Sequence, residues 1–179
     1  MRRFSISGFF TGKLIRKATT LATEPMICES IAKVFFMALL LTGSAKRAGA
    51  VTVKGLESLD PEHPDLEVWL RETAIASIQD LDGDLVPQFE ELEQAGIILP
   101  PELRNVLRLP APARSCFVLR TLAGFRPEFC ADLLRLDLDQ LDEATCDAAS
   151  ALAAFSVREI ERIRRPHGIP SHPFILVGR

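Results

Sequence analysis

Tyrosine is absent from the 179 residues of the chain, and tryptophan occurs once. The patterns that carry common enzyme chemistry are absent as well: there is no G-x-S-x-G turn, no glycine-rich phosphate loop and no H-E-x-x-H pair. The acidic residues follow loop and surface patterns and do not form an isolated pair on an apolar face. We therefore expect no enzyme activity, no catalytic residues and no cofactor.

Metal-binding patterns are also scarce. The four cysteines include no C-x-x-C pair, and the three histidines have no Cys or Glu at ligand spacing. One carboxylate series has calcium-loop spacing, with positions one, three, five and twelve occupied by Asp80, Asp82, Asp84 and Glu91. Position six, which needs a sharp turn, is Leu85 and not glycine. We interpret the series as a solvated acidic segment and expect no metal.

No apolar run is long enough to cross a membrane as a helix. The longest, over 34–41, has eight residues, whereas a spanning helix needs about 20. A secretory signal that starts at Met26 is an alternative, with Lys33 ahead of the apolar run and a cleavage-like site at 48–50. Charged residues inside this pattern oppose it. We expect a buried helix in a cytoplasmic protein, and leave open whether translation starts at Met1 or Met26.

The ends of the chain are basic and its middle is acidic. Residues 1–50 contain eight basic and two acidic side chains, residues 80–108 contain two and seven, and residues 156–179 contain five and two. A basic end suits an acidic partner, a membrane surface or nucleic acid, whereas an acidic middle repels phosphates within a Debye length. Residues 1–27 are predicted to form a basic, poorly ordered extension.

Helical periodicity dominates the sequence, because alternating strand patterns are missing except briefly at 50–53. The first helix is predicted over 28–41, ending at a left-handed Gly43. A second helix is predicted over 45–59, and a third over 65–79 with an aspartate as its N-cap.

These helices indicate two small domains. The first is predicted over 28–79, and residues 80–108 are interpreted as an acidic linker with a short helix over about 88–95. Three short helices with tight turns are predicted: the first stops at Gly124, the second begins at Pro127, and the third runs from about 137–139 to 152, or further to 155. They predict a helix-turn-helix domain over 109–165, followed by a Pro-rich tail over 166–179. The expected fold class is all-α, with the two helical domains joined by the acidic linker.

Apolar, turn and charged positions in the C-terminal helices follow a recognisable pattern. They are Leu109-Pro110, Arg114, Phe117-Val118-Leu119-Arg120, Gly124, Glu128, Ala131, Leu134, Leu136, Leu141, Ala148 and Leu152. With these residues, the segment resembles the promoter-reading domain of sigma-70 family RNA polymerase sigma factors of the small extracytoplasmic-function type. In that family the domain recognises the −35 promoter element.

The N-terminal helices are similar to a second part of the same family. The residues are Ala38-Leu39-Leu40-Leu41-Thr42-Gly43, Ala48, Trp69-Leu70-Arg71 and Ala74. In sigma factors this part binds the polymerase core and opens the −10 element. The resemblance spans about 28–155 and implies a transcription-initiation protein that binds RNA polymerase core and promoter DNA.

The resemblance also implies which residues make contacts. The helix-turn-helix positions that face DNA in the family are occupied by Gln140, Asp142, Glu143, Ala144 and Asp147. The polymerase-facing positions are occupied by Ala50, Val53 and Lys54. Further contacts to phosphates are expected from Arg158, Arg162, Arg164 and Arg165. The alternative for these arginines is the solvated face of an amphipathic helix.

The contact positions depart from the family pattern, although the fold-forming positions follow it. The predicted DNA-facing helix is acidic, and no Lys or Arg lies between Arg135 and Arg158. Phosphates repel carboxylates, so this helix is a poor DNA reader. Some acids, such as Asp137 and Asp139, could instead cap the helix. Two hypotheses follow: a working sigma factor, or a sigma-like protein-interaction module that binds polymerase or a protein regulator without reading DNA.

Overall fold

The computed structural model describes the backbone of residues 25–59, 65–80 and 87–164, and the side chains of 29–59, 65–80 and 87–157. Within these ranges the chain is all-α and contains no strand, as predicted. The elements are α1 (Pro25–Thr42), α2 (Ala45–Glu57), α3 (Leu66–Gln79), α4 (Phe89–Gln94), α5 (Pro101–Leu107), α6 (Ala111–Phe117), a π-helical turn (Val118–Leu122), α7 (Pro127–Leu134) and α8 (Leu138–Arg164). None of the helices described is long and apolar enough to span a membrane.

The first three helices begin and end close to the predicted residues. Helix α1 ends at Thr42, and Gly43 has a φ of 69°, the left-handed conformation expected of a glycine cap. Asp65 is the N-cap of α3, and its Oδ1 accepts a hydrogen bond of 2.8 Å from the backbone N–H of Glu67. The predictions for α1 and α3 are therefore confirmed at these ends.

Close packing joins α2 to α3. A Cβ at Gly55 would collide with Oγ1 of Thr73, so the glycine lets the two backbones approach. The indole N–H of the buried Trp69 donates a hydrogen bond of 3.1 Å to the carbonyl of Thr52. Gly55, which lowers helix propensity, is thus explained by packing.

Residues 87–107, which belong to the predicted acidic linker, contain two short helices and four buried apolar side chains. The predicted short helix corresponds to α4, whereas the sequence does not predict α5, because prolines such as Pro100 and Pro101 commonly break a helix. Pro101 is instead the first residue of α5, a position where the missing N–H costs nothing. The buried side chains of this segment are Leu92, Leu99, Val106 and Leu107.

The C-terminal helices also follow the predicted order. The expected helix before Gly124 is divided into α6 and the π-helical turn, and Gly124 has a φ of 72°. Helix α7 begins at Pro127, as predicted. Helix α8 is longer than the predicted third helix, because it continues without a break to Arg164.

The larger of two buried hydrophobic clusters connects both halves of the chain. Leu39 and Leu41 of α1 belong to the same buried cluster as Cys116, Leu119 and Leu141. The proposed division into two domains stays a prediction, since the core continues across it.

Candidate functional site

A short turn joins α7 to α8 and fixes the direction of α8. Arg135 takes the left-handed conformation, with a φ of 56° and a ψ of 45°. The N–H of Leu136 then donates a hydrogen bond of 3.0 Å to the carbonyl of Ala131, which caps the end of α7. This tight turn joins two helices of the predicted helix-turn-helix domain, an assignment that stays a prediction.

The start of α8 is capped by two reciprocal hydrogen bonds. Oδ1 of Asp137 accepts from the backbone N–H of Gln140 at 2.7 Å, and Oε1 of Gln140 accepts from the N–H of Asp137 at 3.1 Å. This is the capping-box arrangement, and it gives Asp137 a structural role. Gln140, one of the implied DNA-facing residues, therefore has its side-chain oxygen engaged by its own helix.

One face of α8 packs on the core and the opposite face is exposed. Leu141 and Ala148 are buried, and Ala144, an implied DNA-facing residue, is half-buried and packs against the core. Among the described side chains of α8, the exposed acidic residues are Asp139, Asp142, Glu143 and Asp147, which we call the α8 acidic face. Asp142, Glu143 and Asp147, three of the implied DNA-facing residues, are thus exposed, and their contact with a partner stays a prediction.

One carboxylate of the α8 acidic face has a partner within the chain. Arg120 of the π-helical turn places its Nη2 atom 3.2 Å from Oδ1 of Asp142. The side chain of Asp142 is 63% exposed, so solvent screens this ion pair. Among the described residues, no such ion pair is formed by Asp139, Glu143 or Asp147.

The α8 acidic face is unsuited to bind a phosphate backbone. DNA-binding affinity comes largely from Lys and Arg side chains that neutralise phosphates, and α8 has none before Arg158. Carboxylates at these positions add repulsion. The same face suits a partner that presents basic side chains.

The arginines proposed as phosphate contacts follow on the same helix. The backbone of α8 is helical through Arg158, Arg162 and Arg164. Their side chains, and all of Arg165, lie outside the described residues. The predicted phosphate contacts stay a prediction.

The implied polymerase-facing residues lie together on the outer side of α2. Ala50 and Lys54 are exposed, and Val53 is half-buried. Lys46, one turn before Ala50, is also exposed. Two lysines, Lys46 and Lys54, therefore lie beside Ala50 on this surface.

A carboxylate distant in sequence caps the start of α2. Oε1 of Glu91 accepts a hydrogen bond of 2.8 Å from the backbone N–H of Lys46, and its Oε2 accepts one of 2.9 Å from the Ser44 hydroxyl. Ser44 in turn accepts from the N–H of Arg47. In a capping box, position 47 would be Glu or Gln. It is Arg47 here, so the sequence itself signals that the start of α2 needs an acceptor from elsewhere in the chain.

A buried cation holds three parts of the chain together. The side chain of Arg114 in α6 is 1% exposed, and it donates to the carbonyl of Leu107 at 3.2 Å and to that of Leu41 at 3.4 Å. These carbonyls lie at the C-terminal ends of α5 and α1, where the helix dipole is negative. Burial lowers the pKa of the Arg114 guanidinium. The two helix ends take the place of a carboxylate partner.

Two of the four carboxylates with calcium-loop spacing, Asp80 and Glu91, lie within the described residues. Asp80 is exposed at the end of α3, and Glu91 binds the start of α2. Asp82 and Asp84 lie outside the described residues. Within those residues, no group of three metal-ligating side chains is found.

Sequence and structure comparisons do not assign the chain to a family. No family model matches it, and neither the curated proteins nor the solved structures contain a match.

Proposed function

We propose that the protein is a sigma-like interaction module that binds the transcription machinery through protein contacts and does not read promoter DNA with α8. The observation that carries the proposal is the α8 acidic face, on which Asp139, Glu143 and Asp147 are exposed. The sigma-70 resemblance indicates the expected binding partner, which is RNA polymerase core or a protein regulator.

The distribution of buried residues supports the sigma-like part of the proposal. Leu39, Leu41, Leu119 and Leu141, which carry the resemblance, are completely buried. They therefore act as fold-forming positions. The positions that contact partners in sigma factors are mostly exposed here and carry a different chemistry, so we infer that the scaffold serves a different contact.

Electrostatics supports a basic partner surface. Each exposed carboxylate attracts Lys and Arg side chains at short range, and this attraction weakens as salt rises. Asp142 contributes less than its neighbours, because Arg120 already neutralises it. The carboxylates of Asp139, Glu143 and Asp147, which form no ion pair among the described residues, should therefore contribute most of this attraction.

A working sigma factor is the second candidate. It is favoured by the length of α8, which places the arginine-containing stretch that ends at Arg164 on the same helix as the acidic residues. Such a helix could contact a phosphate backbone beyond its acidic part.

The proposal is tested by titrating the purified full chain into RNA polymerase core and measuring affinity by light scattering or interferometry. We expect a complex whose affinity falls at least about tenfold in the triple variant Asp139→Asn, Glu143→Gln, Asp147→Asn. The matched control is Glu102→Gln, an exposed acid in α5, which should bind as the wild type does. A complex that is unchanged in the triple variant, or no complex at all, contradicts the proposal.

A further inference from the structure

A depression lies between the start of α3 and the turn that leads into α7. It encloses about 450 Å³, within the range of small-molecule sites. Its apolar wall includes Leu66, Leu70, Phe125 and Phe129, and two guanidinium groups, those of Arg71 and Arg126, also line it. The depression thus joins the predicted N-terminal and C-terminal halves of the chain.

Aromatic packing holds Arg71 in place. The Cζ atom of Arg71 lies 4.9 Å from the centroid of the Phe129 ring, a cation–π distance. Phe129 packs in turn against Phe125 in an edge-to-face arrangement, with the ring centroids 5.0 Å apart and an angle of 61° between the ring planes. This contact places the guanidinium of Arg71 beside the aromatic wall of the depression.

The donors of Arg71 are not satisfied by the described residues. Its Nε atom is buried and has no hydrogen-bond partner. No carboxylate of the described residues lies within 4.0 Å of it, although Glu67 is one turn away on α3. Nε is closed to solvent, so an oxyanion in the depression would accept from the two Nη atoms of Arg71, which are not among the buried atoms without a partner, in charge-assisted hydrogen bonds.

We propose that this depression binds a small apolar monocarboxylate. The carboxylate accepts hydrogen bonds from Arg71, in the two-point geometry that guanidinium groups favour, and Arg126 adds a second positive charge at the exposed side. The apolar body of the ligand packs against Leu70 and Phe125. Glu67 also lines the depression and repels a second negative charge, so a monoanion is preferred to a dianion.

The inference is independent of the proposed function, and its test contains no polymerase. Benzoate is the probe, because it combines one carboxylate with a flat apolar body. Benzamide, which has the same shape without the charge, and acetate, which lacks the apolar body, are the matched comparison compounds. Binding to the full chain is measured by nuclear magnetic resonance, from amide shifts in uniformly labelled protein.

We expect benzoate to shift the amide signals of Arg71, Gly124 and Phe129 in a saturable manner. Benzamide and acetate should each bind at least about tenfold more weakly. Equal binding of benzoate and benzamide, shifts spread over unrelated helices, or no saturation would overturn the proposal. Because this measurement uses the wild-type protein, it does not depend on whether a variant folds.

Substitutions sharpen the result. Arg71→Met should weaken benzoate binding at least about tenfold, and Glu67→Gln should strengthen it two- to threefold by removing a repulsive charge. Arg108→Met is the control, because Arg108 is an exposed arginine that does not line the depression. If Arg71→Met and Arg108→Met bind benzoate alike, or if Glu67→Gln weakens binding, the assignment of the site is wrong.

Discussion

Charged side chains play opposite roles in two regions of the molecule. Around the end of α1, the side chains of Glu91 and Arg114 are used inside the chain, where they bind backbone groups of distant helices. On the α8 acidic face, only Asp142 has a charged partner among the described residues. We call the first region the α1 junction; it consists of Gly43, Ser44, Glu91 and Arg114.

The comparison separates charges that build the fold from charges that remain for a partner. A buried cation is costly unless its donors are matched, and Arg114 meets this condition in part: its two Nη atoms reach two helix ends, while its Nε has no hydrogen-bond partner among the described residues. Exposed carboxylates contribute little to folding stability. Substitutions in the α1 junction should therefore affect stability, and substitutions on the α8 acidic face should affect binding.

The largest effect is expected at Arg114. Arg114→Ala removes both hydrogen bonds, leaves the carbonyls of Leu41 and Leu107 without this donor and opens a cavity. We expect the free energy of unfolding in urea to fall by about 3–5 kcal/mol. Arg114→Met, which keeps most of the volume, should lose less, about 1–3 kcal/mol.

The control for Arg114 is Arg108→Ala. Arg108 is exposed, and among the described residues its side chain donates a hydrogen bond only to the side chain of Asn105, three residues earlier. This variant should change the free energy of unfolding by less than about 0.5 kcal/mol. Similar losses at both arginines would contradict the stabilising role assigned to the buried guanidinium of Arg114.

The cysteines offer a second comparison, between the core and α8. Burial raises the pKa of the Cys130 thiol to about 11 and also raises that of Cys116, whereas Cys146 is exposed on α8. At pH 8 about 0.1% of a thiol with that pKa is ionised, and only thiolate reacts. Iodoacetamide followed by peptide mass mapping should label Cys146 at least about 100-fold faster than Cys130. Comparable rates would contradict the buried placement of Cys130.

Glu91 should show a smaller effect on stability. Glu91→Ala removes the cap from the start of α2, and we expect a loss of about 1–2 kcal/mol in the free energy of unfolding. Glu90→Ala, at an exposed neighbouring position, is the control and should stay within about 0.5 kcal/mol. Equal effects would mean that residues 87–107 are not held to α2 by this carboxylate.

The smallest effect is expected for the Arg120–Asp142 ion pair. A double-mutant cycle with Arg120→Gln and Asp142→Asn should give a coupling energy below about 1 kcal/mol, since the pair is exposed. The coupling should fall further in 1 M NaCl. A coupling energy above about 2 kcal/mol would mean that Asp142 contributes to folding stability and does not remain for a partner.

Local sequence signals predicted most of the fold. Asp65, Gly43 and Pro127 mark helix ends by their backbone chemistry, and each was assigned correctly from the sequence. Helix α5 was missed because Pro101 can either break a helix or begin one, and only tertiary packing of Val106 and Leu107 selects the second outcome.

The long-range contacts could not be predicted from local patterns. Glu91 and Ser44 are 47 residues apart, and Arg114 and Leu41 are 73 apart. Nothing in the local sequence of Arg114 indicates that its partners are the carbonyls of two other helices. The positions of the α8 acids are easier to predict from the sequence, because helical periodicity alone places Asp139, Glu143 and Asp147 away from Leu141.

Binding of a promoter fragment, with and without RNA polymerase core, over a series of salt concentrations tests the central claim most directly. The account predicts that the chain adds no affinity for DNA in either case, because the α8 acidic face repels phosphates. Polymerase-dependent DNA affinity that falls steeply with salt would contradict it and identify a working sigma factor.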